Sequence, residues 1–522
     1  LLRPSFLKAN QEAVDAIAAG TSGITAVVGF AHREAGELYN AAAVLHDGRL
    51  CHVHHKAHLP NYSVFDERRY FRAGTRPAVL ERGATRLAVN VCEDIWVPIG
   101  PPQRQALAGA ELLVNLSASP YSRGKAPRRE RMLAVRAADN TAFVAFCNLV
   151  GGQDELVFDG CSAVLGPDGS LVARAASCAE EILTIDLEME AVFRSRLLDP
   201  RLRGTPAPDR PGRAVEIVEL PALPPARRPP LPSRQPAREL EDLAEVYGAL
   251  VLGLRDYVRK NGFGDLVLGL SGGIDSALSA AVAVDALGAG HVVGVAMPSR
   301  YSSDSSLADA RESARLLGAR LLEIPIDGPF QTFLEALGPQ LAGRPPDTTE
   351  ENLQSRVRGT ILMALSNRYG WLVLANSNKS ESSVGYVTLY GDSAGGFAPL
   401  RDVPKTLVYR LAGWRNAQPD GPRIPQHSIT RPPSAELRPG QLDVDSLPPY
   451  DVLDPILEAY IESEMSTAEI VAAGNPPDTV ARVLRMVDRA EYKRRQSPPG
   501  IKITERAFGR DRRMPITQRA GR

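Results

Sequence analysis

The stretch LVLGLSGGIDSALSAAVAV, residues 266–284, constrains the fold of this 522-residue chain more than any other. Residues 266–270 read as a short, wholly apolar buried strand, and residues from 277 onward as a helix rich in Ala and Val. Between them, Ser271-Gly272-Gly273-Ile274-Asp275-Ser276 is a tight strand-to-helix turn. Two adjacent glycines let backbone N–H groups approach a ligand closely, and the helix N-terminus behind them favours an anion. Ser271 and Ser276 add hydroxyl donors. Asp275 suits an anion site only if a divalent cation neutralises it. The pattern therefore points to a pyrophosphate with its metal. The plain alternative is a Gly-rich turn without a ligand.

Length sets the next bound, because 522 residues exceed one ordinary domain. Hydrophobic residues make up 44% and charged residues 23%, as in globular proteins. Lys+Arg and Asp+Glu both count 61, so no global field draws the chain to nucleic acid or membrane. Five cysteines are too few and too odd for a disulfide framework and suit a reducing, cytoplasmic setting. No apolar run is long enough to span a bilayer, and no signal peptide is visible. The sequence opens at Leu1 within an amphipathic helical pattern, so it is expected to start partway into its first domain.

Residues 1–205 read as a layered α/β domain. A helical pattern covers residues 6–17 and a strand residues 24–30. Residues 41–45 and 50–53 flank Asp47-Gly48, a hairpin turn. Apolar strands follow at 87–91, 112–116 and 142–147, with a second hairpin at Pro167-Asp168-Gly169 and a last strand at 182–187. Residues 128–138 read as a helix. Cys92 ends the strand LAVNV where the chain turns, a position that suits a nucleophile, whereas Cys147 and Cys161 read as small buried core residues. Lys56 lies just past a strand, in HKAHLPNYSVFDERRYF; alone it would be a solvated charge. His52 and His54 share a strand face but have no third ligand at suitable spacing, so they read as strand polar residues rather than a metal pair.

Residues 206–236 are dense in proline and read as a semi-extended connector that builds no core. Beyond it, Leu240, Leu243, Val246 and Leu250 line one face of a helix that leads into the phosphate turn. Strand patterns at 291–299, 320–326 and 371–377, separated by helices such as 306–317, imply an open parallel sheet with ligands at its carboxyl edge.

The turn lacks the GK[ST] ending of a Walker A loop. It resembles instead the SGGxDS PP-loop of the ATP pyrophosphatases, which split ATP between its α and β phosphates. K-x-H-L-P followed by C-E-D-x-W resembles the glutamine-amidase branch of the nitrilase superfamily, as does NLVGGQDELVFDG at 148–160. MPSRYSS, EENLQSRVRG, NKSESSVGYVTLYGD, PPSAELRPGQ and EYKRRQSPPGIKITERAFG resemble the NAD synthetase family in its glutamine-dependent form. The resemblance implies a nitrilase-like α-β-β-α sandwich, incomplete at its start, over residues 1–205. It implies a doubly wound parallel-sheet PP-loop domain over 237–522.

Roles follow by position. Cys92 matches the nucleophile of a Glu–Lys–Cys triad and Lys56 its lysine, while Tyr62, Ser119 and Lys125 match glutamine-binding positions. The family's general-base glutamate belongs to a segment expected upstream of Leu1; Glu67 and Glu93 match supporting positions. On that expectation, the polypeptide as written would make NAD from free ammonia but hardly from glutamine. Gly269, Leu270, Ser271, Gly272, Gly273, Ile274, Asp275 and Ser276 would hold the phosphates of ATP, the co-substrate. Asn376 and Ser377 stand where the family has Thr and Gly, with Asn376 still expected at ATP. Asn352, Glu381 and Lys493 would contact deamido-NAD, and Asp275 and Glu381 would hold Mg²⁺. Lys379, Lys493 and Arg494 are candidate cationic clamps, with Arg495 on the solvated face. The implied enzyme is a cytoplasmic homo-oligomer acting on small molecules. Rival readings are another amidotransferase such as a GMP or asparagine synthetase, against which EENLQSRVRG argues, and a scaffold without chemistry.

Overall fold

The computed structural model describes residues 1–199, 215–223, 229–232, 234–343 and 345–518. The chain divides into two compact units. The first comprises Leu1–Pro120, Gly124–Val150 and Phe158–Leu240; the second comprises Tyr121–Arg123, Gly151–Val157 and Glu241–Arg522.

The first unit is built in four layers. Helix Pro4–Ala19 covers one face of an antiparallel sheet of Thr25–Glu34, Glu37–His46 and Arg49–His55. Strand Glu37–His46 is apolar on both sides for a reason: Ala41, Ala43 and Leu45 pack with Val14 and Ala18 of the helix, whereas Ala42 and Val44 pack with Leu80, Val89 and Val91 of a second sheet. That second sheet has seven strands, ordered Leu171–Arg174, Ala163–Leu165, Phe143–Asn148, Leu112–Ser117, Thr85–Val91, Ala78–Arg82 and Glu216–Glu219. Leu133 and Ala137 of helix Lys125–Asn140 close its far face against Val79, Leu113 and Val144. This is the α-β-β-α sandwich. Asp47 and Gly48 both take left-handed backbone, φ 44° and 84°, as a two-residue hairpin of this hand requires.

Several expectations are corrected here. Residues 182–187 form no strand: Leu183, Ile185 and Leu187 alternate into the core beside Phe143 and Val164, but among the described residues no strand pairs with their backbone, and Ile182 is 87% exposed. Cys147 is exposed, because its strand turns Phe146 to the core and Cys147 away, and Cys161 is only half-buried. The proline-dense segment also builds core. Glu216–Glu219 pairs in parallel with Ala78–Arg82, and Leu220 packs with Ala42 and Leu80. Residues 206–214, 224–228 and 233 of that connector lie outside the described residues.

The second unit holds a four-stranded, wholly parallel sheet ordered Arg320–Glu323, Val292–Ala296, Leu266–Gly269 and Leu372–Leu374. The chain steps outward in one direction for three strands, then crosses to the other side of Leu266–Gly269 for the fourth. A crevice opens at such a reversal, outside the carboxyl ends of the strands. Helix Ile274–Leu287 begins three residues earlier than its apolar run suggests, since Ile274, Asp275 and Ser276 supply its first turn. Leu240 lies outside the preceding helix, Asp242–Lys260, and is exposed. The helices from Tyr450 to Arg489 pack a separate apolar cluster around Leu453, Ile456 and Val483.

Candidate functional site

The first unit places Cys92 where strand Thr85–Val91 breaks into a short 3₁₀ turn, Cys92–Ile95. Its φ is +46°, a left-handed conformation that a non-glycine residue adopts only when its surroundings enforce it. Burial pushes the thiol up, while the Lys56 ammonium, the Ser117 hydroxyl and the Ala118 N–H pull it back down. Lys56 is 1% exposed and donates to Glu67 Oε1 at 2.5 Å. Glu67 in turn accepts from Asn40 Nδ2 at 3.3 Å. The buried ammonium thus comes paired with a half-buried carboxylate, as burial of charge demands.

The carboxylate of Asp94 joins the two segments. Its Oδ1 accepts the N–H groups of Ala57 and His58 at 3.0 and 2.9 Å, and its Oδ2 accepts Val91 N–H at 3.0 Å and bonds His54 Nε2 at 3.2 Å. Burial works to raise this carboxyl, but the His54 bond and the backbone donors outweigh it and hold it below its ordinary value. Ala57 follows Lys56 and Val91 precedes Cys92, so one side chain sets the register of the chain beside both residues. Sequence reading passed over Asp94, although CEDIW displays it. His54 is thereby a partner of Asp94, and among the described residues no group of three or more His, Cys, Asp or Glu stands together for a metal.

The glutamine-binding candidates surround this pair unevenly. The Tyr62 hydroxyl donates to Glu93 Oε1 at 2.9 Å, next to Cys92. Ser119 is buried beside Ala118, its N–H donating to Asn148 Oδ1 at 2.9 Å. Lys125 donates to Pro120 O at 2.8 Å and holds its ammonium 5.9 Å from the Trp96 ring centroid, on the far side of CEDIW.

The second unit carries a cavity of about 290 Å³ at the carboxyl edge of its sheet, lined by Gly269, Leu270, Ser271, Gly273, Ile274, Asp275 and Ser276 among others. Gly272 tolerates no other residue: its φ is +78°, and a Cβ there would lie 2.3 Å from Ser306 O. Within the turn, Ser276 Oγ donates to Gly273 O at 2.9 Å and Gly273 N–H donates to Ser271 Oγ at 3.3 Å. Asn376 and Ser377, at the end of the neighbouring strand Leu372–Leu374, also line the cavity. Asn376 Nδ2 donates to Gly269 O at 2.8 Å, and its buried Oδ1 has no partner among the described residues.

Asp275 and Glu381 converge on Lys405, a residue the sequence reading did not select. Lys405 Nζ bonds Asp275 Oδ2 and lies 3.2 Å from Glu381 Oε1. Burial opposes the ammonium charge, but Asp275 and Glu381 outweigh it and raise Lys405. Burial pushes Glu381 up to about 8, with Lys405 pulling it down and Asp275 adding to the rise. Asn378 ties the Asp275 carboxylate to the main chain at Glu381, donating from Nδ2 to Asp275 Oδ1 at 2.9 Å while its Oδ1 accepts Glu381 N–H at 2.9 Å.

Two of the expected cationic clamps are misplaced. Lys379 is buried among Asp402, Glu462 and Thr504, at 3.0, 2.9 and 2.7 Å. Arg494 is spent on Glu491 and the carbonyls of Ser383 and Val487. The cations that line the cavity are Lys405, Arg358 and Arg431. Burial lowers Arg358 to about 10. Asn352 and Lys493, 141 positions apart by number (493 − 352), meet at one loop. Asn352 Oδ1 accepts the Thr388 hydroxyl at 2.7 Å, and Lys493 Nζ donates to Gly385 O and Val387 O at 2.8 and 2.9 Å. Thr388 lines the cavity; Asn352 and Lys493 stand behind it.

The fold and its two sites define a class: a carbon-nitrogen hydrolase unit followed by a PP-loop synthase unit. Residues 12–196 match the carbon-nitrogen hydrolase family and residues 246–497 match NAD synthase. The chain is 47% identical over 99% of its length to the glutamine-dependent NAD(+) synthetase of Thermotoga maritima, covering 90% of it, and 48% identical to that of Aquifex aeolicus over the same shares. It resembles the solved glutamine-dependent NAD+ synthetase of Acinetobacter baumannii, with TM-score 0.72, 41% identity and coverage of 99% of this chain and 88% of that one. The chain belongs to the glutamine-dependent NAD(+) synthetase family.

Proposed function

We propose that the chain converts deamido-NAD to NAD with ATP and with ammonia released from glutamine. Residues 1–205 carry the amide hydrolysis and residues 237–522 the ligation. The observation that supports this most is the convergence of Asp275, Glu381 and Lys405 at the mouth of the glycine turn. The nicotinate carboxylate attacks the α-phosphorus of ATP and displaces pyrophosphate, giving an acyl-adenylate; ammonia then attacks the carbonyl carbon and AMP departs. Both steps crowd anions together, and fixed cations lower that barrier. Lys405, Arg358 and the N–H groups of the glycine turn receive the phosphates, and Asn376 Oδ1 is an acceptor still in need of a donor.

Asp275 and Glu381 fit Mg²⁺. They are hard oxygen donors on one side of a phosphate turn, and Mg²⁺ takes few protein carboxylates beside phosphate oxygens. Bound there, it would neutralise phosphate charge. Asn352 and Lys493 fix the loop that faces deamido-NAD. In the first unit, the Cys92 sulfur attacks the glutamine carboxamide carbon and Lys56 stabilises the tetrahedral oxyanion. The C–N bond breaks with nitrogen protonated and leaving as ammonia to give a thioester, and water hydrolyses the thioester to glutamate and the free thiol. Tyr62, Ser119 and Lys125 hold glutamine. No described helix is long and apolar enough to cross a membrane. From the family resemblance alone we assign the enzyme to the cytoplasm as a homo-oligomer.

With ammonia supplied directly, Asp275→Ala is expected to abolish NAD formation while Cys92→Ala leaves it intact. Normal ammonia-driven rates for Asp275→Ala would remove that carboxylate from the site.

A further inference from the structure

Lys405 and Glu381 come from two helices whose first turns lie side by side. Lys405 opens Lys405–Asn416, and Glu381 sits in the first turn of Lys379–Val384. The Lys405 helix has no cap of its own, since Pro404 precedes it and offers no polar side chain. Its leading N–H groups need acceptors from elsewhere.

They find them through Asp454, on helix Tyr450–Leu457. Asp454 Oδ2 accepts Thr406 N–H at 2.9 Å and the Thr406 hydroxyl at 2.7 Å. Its Oδ1 accepts the hydroxyl of Ser380, whose oxygen accepts Lys405 N–H at 2.9 Å. Ser380 immediately precedes Glu381. One carboxylate, 7% exposed and outside the cavity lining, therefore holds Thr406, next to Lys405, and the side chain of Ser380, next to Glu381. A cap alone would need only Thr406; the second arm, to Ser380, couples the two helices.

We propose that Asp454 is a positioning residue for ATP turnover, setting the separation of Lys405 from Glu381 without touching substrate. The proposal rests on the reading that Lys405 meets the ATP phosphates. A charge-bearing group displaced by even an ångström loses much of its rate advantage.

The test is ammonia-driven NAD synthesis by Asp454→Ala, Asp454→Asn, Lys405→Ala and the Lys405→Ala/Asp454→Ala double variant, with kcat and KM for each substrate. Asp454→Ala is expected to lower kcat/KM for ATP by at least about tenfold while KM for deamido-NAD moves less than about twofold. Asp454→Asn keeps an acceptor for Thr406 and is expected to recover most of the loss. The double variant should be no worse than Lys405→Ala, because Asp454 acts through Lys405. Unchanged ATP kinetics in Asp454→Ala, equal losses for both substrates, or additive losses in the double variant would overturn the proposal. Lys405→Ala with normal ATP kinetics would instead overturn the underlying reading of the site. If Asp454→Ala does not fold, Ser380→Ala carries the same test. It leaves the Asp454–Thr406 cap in place and removes the Asp454 arm together with the Ser380 Oγ acceptor of Lys405 N–H that the arm holds, so an ATP-selective loss supports the proposal and normal ATP kinetics overturn it.

Discussion

The Lys405 ammonium lies 3.2 Å from Glu381 Oε1, on a chain segment 24 positions away and opposite the glycine turn. The contact makes a buried carboxylate tolerable without fully ionising it, because burial still holds Glu381 up to about 8. A carboxylate must lose its proton before it can bind a metal.

Magnesium dependence is therefore expected to change with pH. Between pH 7 and pH 9 the fraction of deprotonated Glu381 rises, so the Mg²⁺ concentration giving half-maximal ammonia-driven rate should fall several-fold, on the order of tenfold at most. Glu381→Gln should flatten that dependence as well as weaken activity. A half-maximal concentration that stays constant across this range in the unsubstituted enzyme would contradict the assignment.

Burial raises the Cys92 thiol most, and two neighbours of opposite charge modulate it: Lys56 lowers the thiol and Glu67 raises it. Lys56→Ala should slow alkylation of the Cys92 peptide at pH 8 by about tenfold, and Glu67→Gln should speed it a few-fold, since the thiolate is the reacting form. Mass spectrometry can follow Cys92 with exposed Cys147 as internal reference. Equal alkylation rates in all three proteins would show that the pair does not govern the thiol.

Lys493 braces the loop at Gly385 and Val387. Removing it frees two carbonyls on the side assigned to deamido-NAD. Lys493→Ala is expected to raise KM for deamido-NAD much more than KM for ATP, about tenfold against twofold or less. Equal changes in steady-state kinetics would mean a general defect in the fold.

The sequence announces what is local. The glycine turn, the Asp47-Gly48 hairpin and the Cys92 strand end are each written in adjacent residues, and the structure places them as read. Charge pairing across distant segments is not written that way. Lys379 and Lys405 look alike as lysines near helix starts, yet one pairs with Asp402 and Glu462 away from the cavity and the other with Asp275 and Glu381 in its lining. Asp454 is further still from legibility, because it caps a helix begun 49 positions earlier (454 − 405). The strand at Glu216–Glu219 was hidden by the prolines around it, although an edge position tolerates just such a flank. Residues 182–187 carry a true alternation and still make no strand, since alternation reports burial and not a hydrogen-bonded neighbour.

The central claim is that the glycine-turn cavity activates a carboxylate by splitting ATP between its α and β phosphates. Its most direct test is product stoichiometry with ATP, deamido-NAD and ammonia. NAD, AMP and pyrophosphate are expected in equal amounts, with all three lost together in Asp275→Ala. NAD formed alongside ADP and inorganic phosphate would contradict the claim.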